Sequence, residues 1–191
     1  MDILKGNYTL ATMDLAASSG MDLGDAANTV VRAMGGFGLS ANDAAQAVNA
    51  LAGAAAASST DVGPLADALS QCAAQAHTAG WSIQDTTAAL GAFADAGITG
   101  SDAGTSLKTM LQRLGAPTGA AAKEMKSLGI NVWDSSGHMK DAGGIADELK
   151  THLGGLSDQQ KQQALTTIFG SDATRAATVL MGEGSAGLAK Y

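Results

Sequence analysis

Few side chains in this 191-residue sequence are of a kind that does chemistry. Aspartates aside, the inventory is three histidines (His77, His138, His152), one cysteine (Cys72) and three glutamates (Glu124, Glu148, Glu183). Glu148 and His152 stand four residues apart, share a helix face and would supply half of a metal site. A tetrahedral site needs further ligands at comparable spacing; none follows, so the pair reads as a solvated acid and base. Cys72 lies on an apolar helical stripe without a basic neighbour in sequence, the setting of a buried, inert thiol. A lone cysteine also excludes a disulfide scaffold and a multi-cysteine zinc site. The glutamates could form a glycosidase pair, but none sits in an aromatic, sugar-binding context. The serines fall at caps and turns, and no Gly-x-Ser-x-Gly elbow occurs.

Two glycine patterns resemble dinucleotide loops: Gly182-Glu183-Gly184-Ser185-Ala186-Gly187 and Gly36-Phe37-Gly38-Leu39-Ser40-Ala41. That chemistry needs a strand before the glycines and a helix after them. The first lies among the last residues and the second follows a helix, so both read as helix-ending glycines. The expectation is therefore no catalytic, cofactor-binding or metal-binding residue, no cofactor and no enzyme activity.

The elements that carry these residues are helical and thinly covered. Ala supplies 40 residues and Gly 25, whereas Leu, Ile, Val and Phe together supply 34. Charged residues are 15% of the chain, too few to hold it open by self-repulsion. No apolar run is long enough to span a membrane as a simple helix. Met1-Asp2-Ile3-Leu4-Lys5 lacks the form of a secretory signal, which makes an intracellular site of synthesis the expectation. Net charge is −7, and from Ala33 to Leu107 there are six aspartates and no Lys or Arg. Phosphate binding draws on those bases, and the few aromatic residues make a poor stacking platform, so no nucleic-acid partner is expected.

Five segments repeat one device: glycine, an apolar residue, a capping residue, then an acid or amide three positions on. They are Gly20-Met21-Asp22 with Asp25, Gly38-Leu39-Ser40 with Asp43, Gly80-Trp81-Ser82 with Asp85, Gly97-Ile98-Thr99 with Asp102, and Gly155-Leu156-Ser157 with Gln160. A left-handed glycine ends one helix and a capping box opens the next. At the fourth, Gly97 is expected to be left-handed and Gly100 to be an ordinary residue of the new helix. Between these turns the apolar residues follow helical spacing. The stripes are Leu23, Ala26, Ala27, Val30, Val31, Met34; Ala44, Val48, Leu51, Ala52, Ala55; Val62, Leu65, Leu69, Cys72, Ala73, Ala76; Ile83, Thr86, Leu90, Phe93, Ala94; and Ala103, Leu107, Met110, Leu111, Leu114. The last carries the largest side chains and should be buried best.

Gly115-Ala116-Pro117-Thr118-Gly119 interrupts the pattern as a linker. A short helix, Ala120–Leu128, follows. Ile130-Asn131-Val132-Trp133 alternates with period two, Asp134-Ser135-Ser136-Gly137 turns, and His138-Met139-Lys140 can return as a hairpin. Helices then run over roughly Gly144–Leu153, Asp158–Phe169 and Asp172–Met181. The expected fold is mainly α: a bundle or array of short capped helices with one small β-hairpin near 130–140. The expected division is an all-α part over 1–115, a smaller helical part with the hairpin over 116–181, and a flexible tail over 182–191.

One stretch resembles a known signature. Ala94-Asp95-Ala96-Gly97-Ile98-Thr99-Gly100-Ser101-Asp102-Ala103-Gly104-Thr105, followed by Leu107, Met110, Leu111, Arg113 and Leu114, is similar to that of phage tail tape measure proteins. Leu128-Gly129-Ile130 with Val132, Asp134 and Gly137, and later Ile168-Phe169-Gly170, follow in the same order. Upstream, Gly36-Phe37-Gly38-Leu39-Ser40 and Ala57-Ser58-Ser59-Thr60-Asp61-Val62 stand where that family has similar words; Gly63-Pro64 departs from its pattern. The likeness covers about Leu10 to Met181. It implies a long, mostly helical protein that sets tail length, templates the tail tube and leaves through it on DNA ejection. It implies a place in the virion tail, and in the host cytoplasm during assembly. The implied partners are tail tube and other tail proteins, tail assembly chaperones and further copies of itself. Such proteins are much longer than 191 residues, so the resemblance makes this a segment of one. The frequent glycine breaks suit a folded module rather than the extended ruler. Two alternatives stand beside it: a cell-wall-cleaving domain of a tail protein, and a helical adaptor unrelated to phage.

Overall fold

The computed structural model describes residues 2–191, with side chains from residue 6 onward. Among the described residues there are nine α-helices and no sheet. They are α1 (Asp2–Ser19), α2 (Leu23–Gly36), α3 (Ala44–Ala57), α4 (Val62–Thr78), α5 (Ile83–Asp95), α6 (Gly100–Gly115), α7 (Gly119–Leu128), α8 (Ala142–Leu153) and α9 (Asp158–Leu188). No helix among them is long and apolar enough to cross a membrane.

The glycine turns set the helix ends. Gly20, Gly38, Gly80 and Gly97 have φ of 71°, 64°, 85° and 82°. After three of them the apolar residue folds back. Leu39, Trp81 and Ile98 donate their N–H groups to the carbonyls of Met34, Ala76 and Phe93 at 2.9, 2.9 and 2.8 Å, closing Schellman ends. Ile130 does the same after Gly129, donating to Met125 at 2.9 Å. The next helix is then capped: Ser82 with Asp85 and Ser157 with Gln160 form capping boxes, and Asp22 accepts from Asp25 N–H. Asp43 accepts from the N–H and hydroxyl of Ser40, opening a short 3-10 turn before α3. Pro64 falls in the first turn of α4, where a missing N–H costs little.

Three details differ from the expected device. Thr99 makes no side-chain cap, and the Asp102 carboxylate, instead of returning to it, is held by Arg175 of α9, whose Nη2 donates to both oxygens at 2.9 and 2.8 Å. Gly100 has φ 58°, so it needs glycine as Gly97 does. Gly155 is absent from the left-handed glycines, since α8 runs out through Gly154 in a right-handed conformation.

One cluster of buried residues runs from Ala11 to Leu188. Leu107, Met110, Leu111 and Leu114 are fully buried, as their size demands. The α2 stripe is rotated from the expected one: Ala26, Thr29, Val30, Ala33 and Met34 face inward, whereas Leu23 and Val31 are exposed. The unassigned first residues form α1, which buries Ala11 and Leu15 and leaves Leu10 and Met13 in solvent. Past the 115–119 break, α9 packs on α8, α7, α6 and α5.

The expected hairpin does not form strands. A single antiparallel bridge joins Trp133 to Met139, flanked by Asp134 N–H to His138 C=O and Lys140 N–H to Val132 C=O, both 2.8 Å. Asp134 Oδ1 accepts the His138 N–H that a ladder would pair with the Asp134 carbonyl, and also Ser136 N–H in the turn, while Asn131 Oδ1 accepts Trp133 N–H. Residues 182–188, expected within a flexible tail, are helical but for Gly184, and Leu188 is buried.

α4 and α6 cross in close contact. A Cβ at Gly104 would overlap the Ala68 carbonyl oxygen and stand 2.8 and 2.9 Å from its C and Cα. Backbone cannot yield as a side chain can. Gly104→Ala should therefore lower stability by about 1–3 kcal/mol through overpacking. Gly53→Ala, with open space around it in α3, should raise stability by about 0.5–1 kcal/mol. Urea unfolding of the two variants checks both signs.

Candidate functional site

The chemistry-bearing residues are placed apart. His77, near the end of α4, meets Phe37 edge to face at 6.4 Å between centroids. His138 lies exposed on the 131–140 loop, 3.8 Å from Asp134. His152 lies on α8 beside Glu148 at 3.2 Å. Among the described residues no three His, Cys, Asp or Glu side chains come together in a way that could hold a metal ion. Burial pushes the Cys72 thiol up to about 12, which leaves it protonated and unreactive at neutral pH. Gly36–Ala41 is a helix end followed by a 3-10 turn, and Gly182–Gly187 lies at a kink of α9. Neither glycine run has the preceding strand that a phosphate loop requires.

The structure does bring one charged cluster together, around Glu148. Its Oε2 accepts Lys140 Nζ at 2.6 Å, and its Oε1 accepts Asn131 N–H at 2.7 Å while lying 3.2 Å from His152 Nε2. Burial opposes the charge on this carboxyl. Hydrogen bonds from Lys140 and Asn131, with the charges of Lys140 and His152, outweigh that cost and hold it below its ordinary value. The Glu148–His152 half was visible in the i,i+4 spacing. The loop donors were not, because nothing in sequence says that the loop folds over α8. Every oxygen is engaged with the protein, so the cluster ties the loop to the helix rather than presenting a free acid.

A second cluster ties the last residues to the first half of the chain. Asp95, at the end of α5, accepts the Tyr191 hydroxyl and Ser59 N–H, both at 2.7 Å, and Lys190 Nζ lies 3.6 Å away. These contacts, led by the Tyr191 hydroxyl, hold the Asp95 carboxyl below the usual range. The Tyr191 ring lies against Gly91, where a Cβ would stand 2.8 Å from it. Among the described residues no buried side-chain nitrogen or oxygen lacks a hydrogen-bond partner. Both clusters tie segments that are distant in sequence.

Comparisons with known proteins bear on what such a scaffold serves. The family model for phage-related minor tail proteins matches residues 6–170, and the chain belongs to that family. It is similar to a protein named tape measure protein from Pneumococcus phage Dp-1, with 34% identity over 184 residues, which are 96% of this chain and 16% of that protein. It is also similar to a probable tape measure protein from Escherichia phage P2, with 42% identity over 114 residues, 59% of this chain and 14% of that protein. The chain thus spans only a small part of the length of the curated relatives it matches. No solved structure matches it.

The Glu148 cluster generates a pH test. A carboxyl held below its ordinary value of 4.5 stabilises the fold fully above that value and loses its contribution as pH falls through the lower, folded one. Glu148→Gln should cost about 1–3 kcal/mol at neutral pH. The loss should shrink in acid, where the native carboxyl is itself protonated. Thermal melts of both proteins between neutral pH and strong acid check the convergence.

Proposed function

We propose that this member of the phage-related minor tail protein family is a folded helical module of a tape measure protein, acting in tail assembly and tail-length determination. It works by contact with tail tube and other tail proteins, in the host cytoplasm during assembly and in the virion tail thereafter, and it catalyses nothing. The observation that carries this reading is the match over nearly the whole chain to a tape measure protein. The engagement of its polar side chains in caps and ties between helices supports it.

The ruler itself lies outside this segment. A ruler is a continuous helix rising 1.5 Å per residue. Here α9 has left-handed breaks at Gly170 and Gly184, with φ of 71° and 65°, and glycine turns separate most of the other helices. Removing residues 6–170 in frame from the full-length protein separates the two roles. A module needed for assembly gives few or no tails, and those that form keep their length in electron micrographs. Tails shortened by about 250 Å, the length of that segment as one helix, would show that it belongs to the ruler. Unchanged yield and length would remove the assembly role. A zone of clearing in a peptidoglycan gel would restore the cell-wall-cleaving alternative.

The charge distribution generates a second test. The stretch from Ala33 to Leu107 has no Lys or Arg, so the chain should stay off DNA. Fluorescence anisotropy with labelled duplex at low salt, where phosphate contacts are strongest, should show no micromolar binding. Binding that weakens steeply with added salt would overturn this assignment.

A further inference from the structure

Residues 185–191 lie beyond the left-handed break at Gly184 and are held differently from the rest of α9. Their own backbone bonds are few: Ala189 N–H donates to Ser185 at 3.1 Å, and Tyr191 N–H to Leu188 at 3.2 Å. A helix this short does not persist alone in water, so it is ordered by what it rests on. There are three anchors. At the start, Ser185 N–H donates to Asp147 of α8 at 2.7 Å. In the middle, Leu188 is buried. At the end, the Tyr191 hydroxyl donates to Asp95 of α5 at 2.7 Å, with Lys190 Nζ 4.5 Å from the ring centroid. Two glycines make the seat. A Cβ at Gly143 would stand 3.2 Å from that of Ser185, and one at Gly91 would stand 2.8 Å from the Tyr191 ring.

The helices beneath have cores of their own. Leu90 and Phe93 of α5, and Ile145 and Leu149 of α8, are fully buried in the common cluster. Of residues 185–191 only Leu188 is buried, whereas Ser185, Ala186, Ala189 and Lys190 are exposed. One flank of the segment meets open space, because Leu188 and Tyr191 border a groove of about 460 Å³ whose far side is Ala50, Thr87, Ala88 and Ala142. Few buried apolar contacts and exposed hydrogen bonds are the marks of a unit that opens well below the global unfolding free energy. Gly184 supplies the joint, since glycine accepts large changes of φ and ψ without strain. We propose that residues 185–191 are a latch that undocks as one unit about Gly184 while α5, α8 and the rest of α9 stay folded. Docked, the latch covers Gly91 and Gly143. Undocked, it uncovers the seat of Leu188 and joins that seat to the groove between α3, α5 and α8. This goes beyond the tail-assembly reading, which names no moving part, and stands or falls independently of it.

The test is residue-resolved hydrogen exchange by NMR on the 191-residue chain, corrected for intrinsic rates. The Ser185 and Ala189 amides should share one opening equilibrium, about a hundredfold or more above that of the amides of α5, α8 and residues 173–181. Gly91→Ala should raise the opening of the latch about tenfold further, because the nearest atoms its Cβ meets all belong to the Tyr191 ring. The same alanine favours helix, so α5 itself should exchange no faster than before. Tyr191→Phe removes only the hydroxyl that Asp95 accepts. It should also raise opening about tenfold, and it carries the test should Gly91→Ala fail to fold. Exchange that slows stepwise from Ala189 back to Ser185 would be simple fraying and would overturn the proposal. So would exchange of both amides at the rate of α8, a Tyr191→Phe chain that opens no more than the native one, or variants in which α5 and α8 open together with the latch.

Discussion

The backbones of α4 and α6 meet where Gly104 lies against Ala68, and much of the fold is arranged about that contact. A chain with so much alanine and glycine cannot fill the usual gap between helix axes of about 8–10 Å with side chains. It must bring backbones together instead, so that dispersion contacts are made by the main chain and by Cβ atoms. The same solution recurs at Gly36, where a Cβ would stand 2.5 Å from that of Ala73. Once α6 is set against α4, its fully buried Leu107, Met110, Leu111 and Leu114 bind the two halves of the chain, since α9 packs on the same helix with Leu165, Ile168 and Phe169 in one continuous core.

What could be read from the sequence was what is decided locally. A left-handed glycine, the apolar residue after it and the cap beyond it interact within about six residues, so their words suffice to place most helix ends. The features that escaped depend on partners far along the chain. Asp102 reads as the acid of a capping box, but Arg175, from another helix, claims it. Leu23 and Val31 fit a stripe with Val30 and Met34, yet α1 and α4 decide which side of α2 is inward. α1 has apolar residues on several sides, which leaves no single stripe to find. The 130–140 segment has the alternation of a hairpin, but the Asp134 carboxylate takes the His138 N–H that a ladder would pair, and the segment makes one bridge.

The same distinction governs the candidate site. Glu148 and His152 could be paired by counting along a helix, and that pair alone suggests a half-built metal site. Lys140 and the Asn131 N–H, both from the loop, change its meaning by occupying the carboxylate. Asp95 likewise looks like an ordinary helix-end acid until Tyr191 and Ser59 are brought to it. In both places an acid that could have been a reagent is an anchor between segments distant in sequence. That use of charge suits the structural role proposed above.

The breaks in α9 carry this reasoning furthest. At Gly184 the carbonyls of Gly182 and Glu183 accept Lys150 Nζ at 3.3 and 3.4 Å, while Ser185 N–H donates to Asp147 at 2.7 Å. Neighbouring positions on α8 thus supply a base to the end of one helical stretch and an acid to the start of the next, the signs that helix dipoles favour. The hydroxyl and N–H of Ser185 hold the Asp147 carboxyl below the usual range, so the acid stays charged for that role. At Gly170 the Thr174 hydroxyl returns to the carbonyl, and the Arg113 guanidinium of α6 lies 3.2 Å from where a Cβ would stand. A helix meant to run straight has no use for left-handed glycines, nor for charged neighbours placed at them. These joints fold α9 back over α8, α6 and α5, and each is tied to a different helix. Straightening it into a ruler would break the ties together with the core, which is why the compact module, and not an extended rod, is the form this sequence supports.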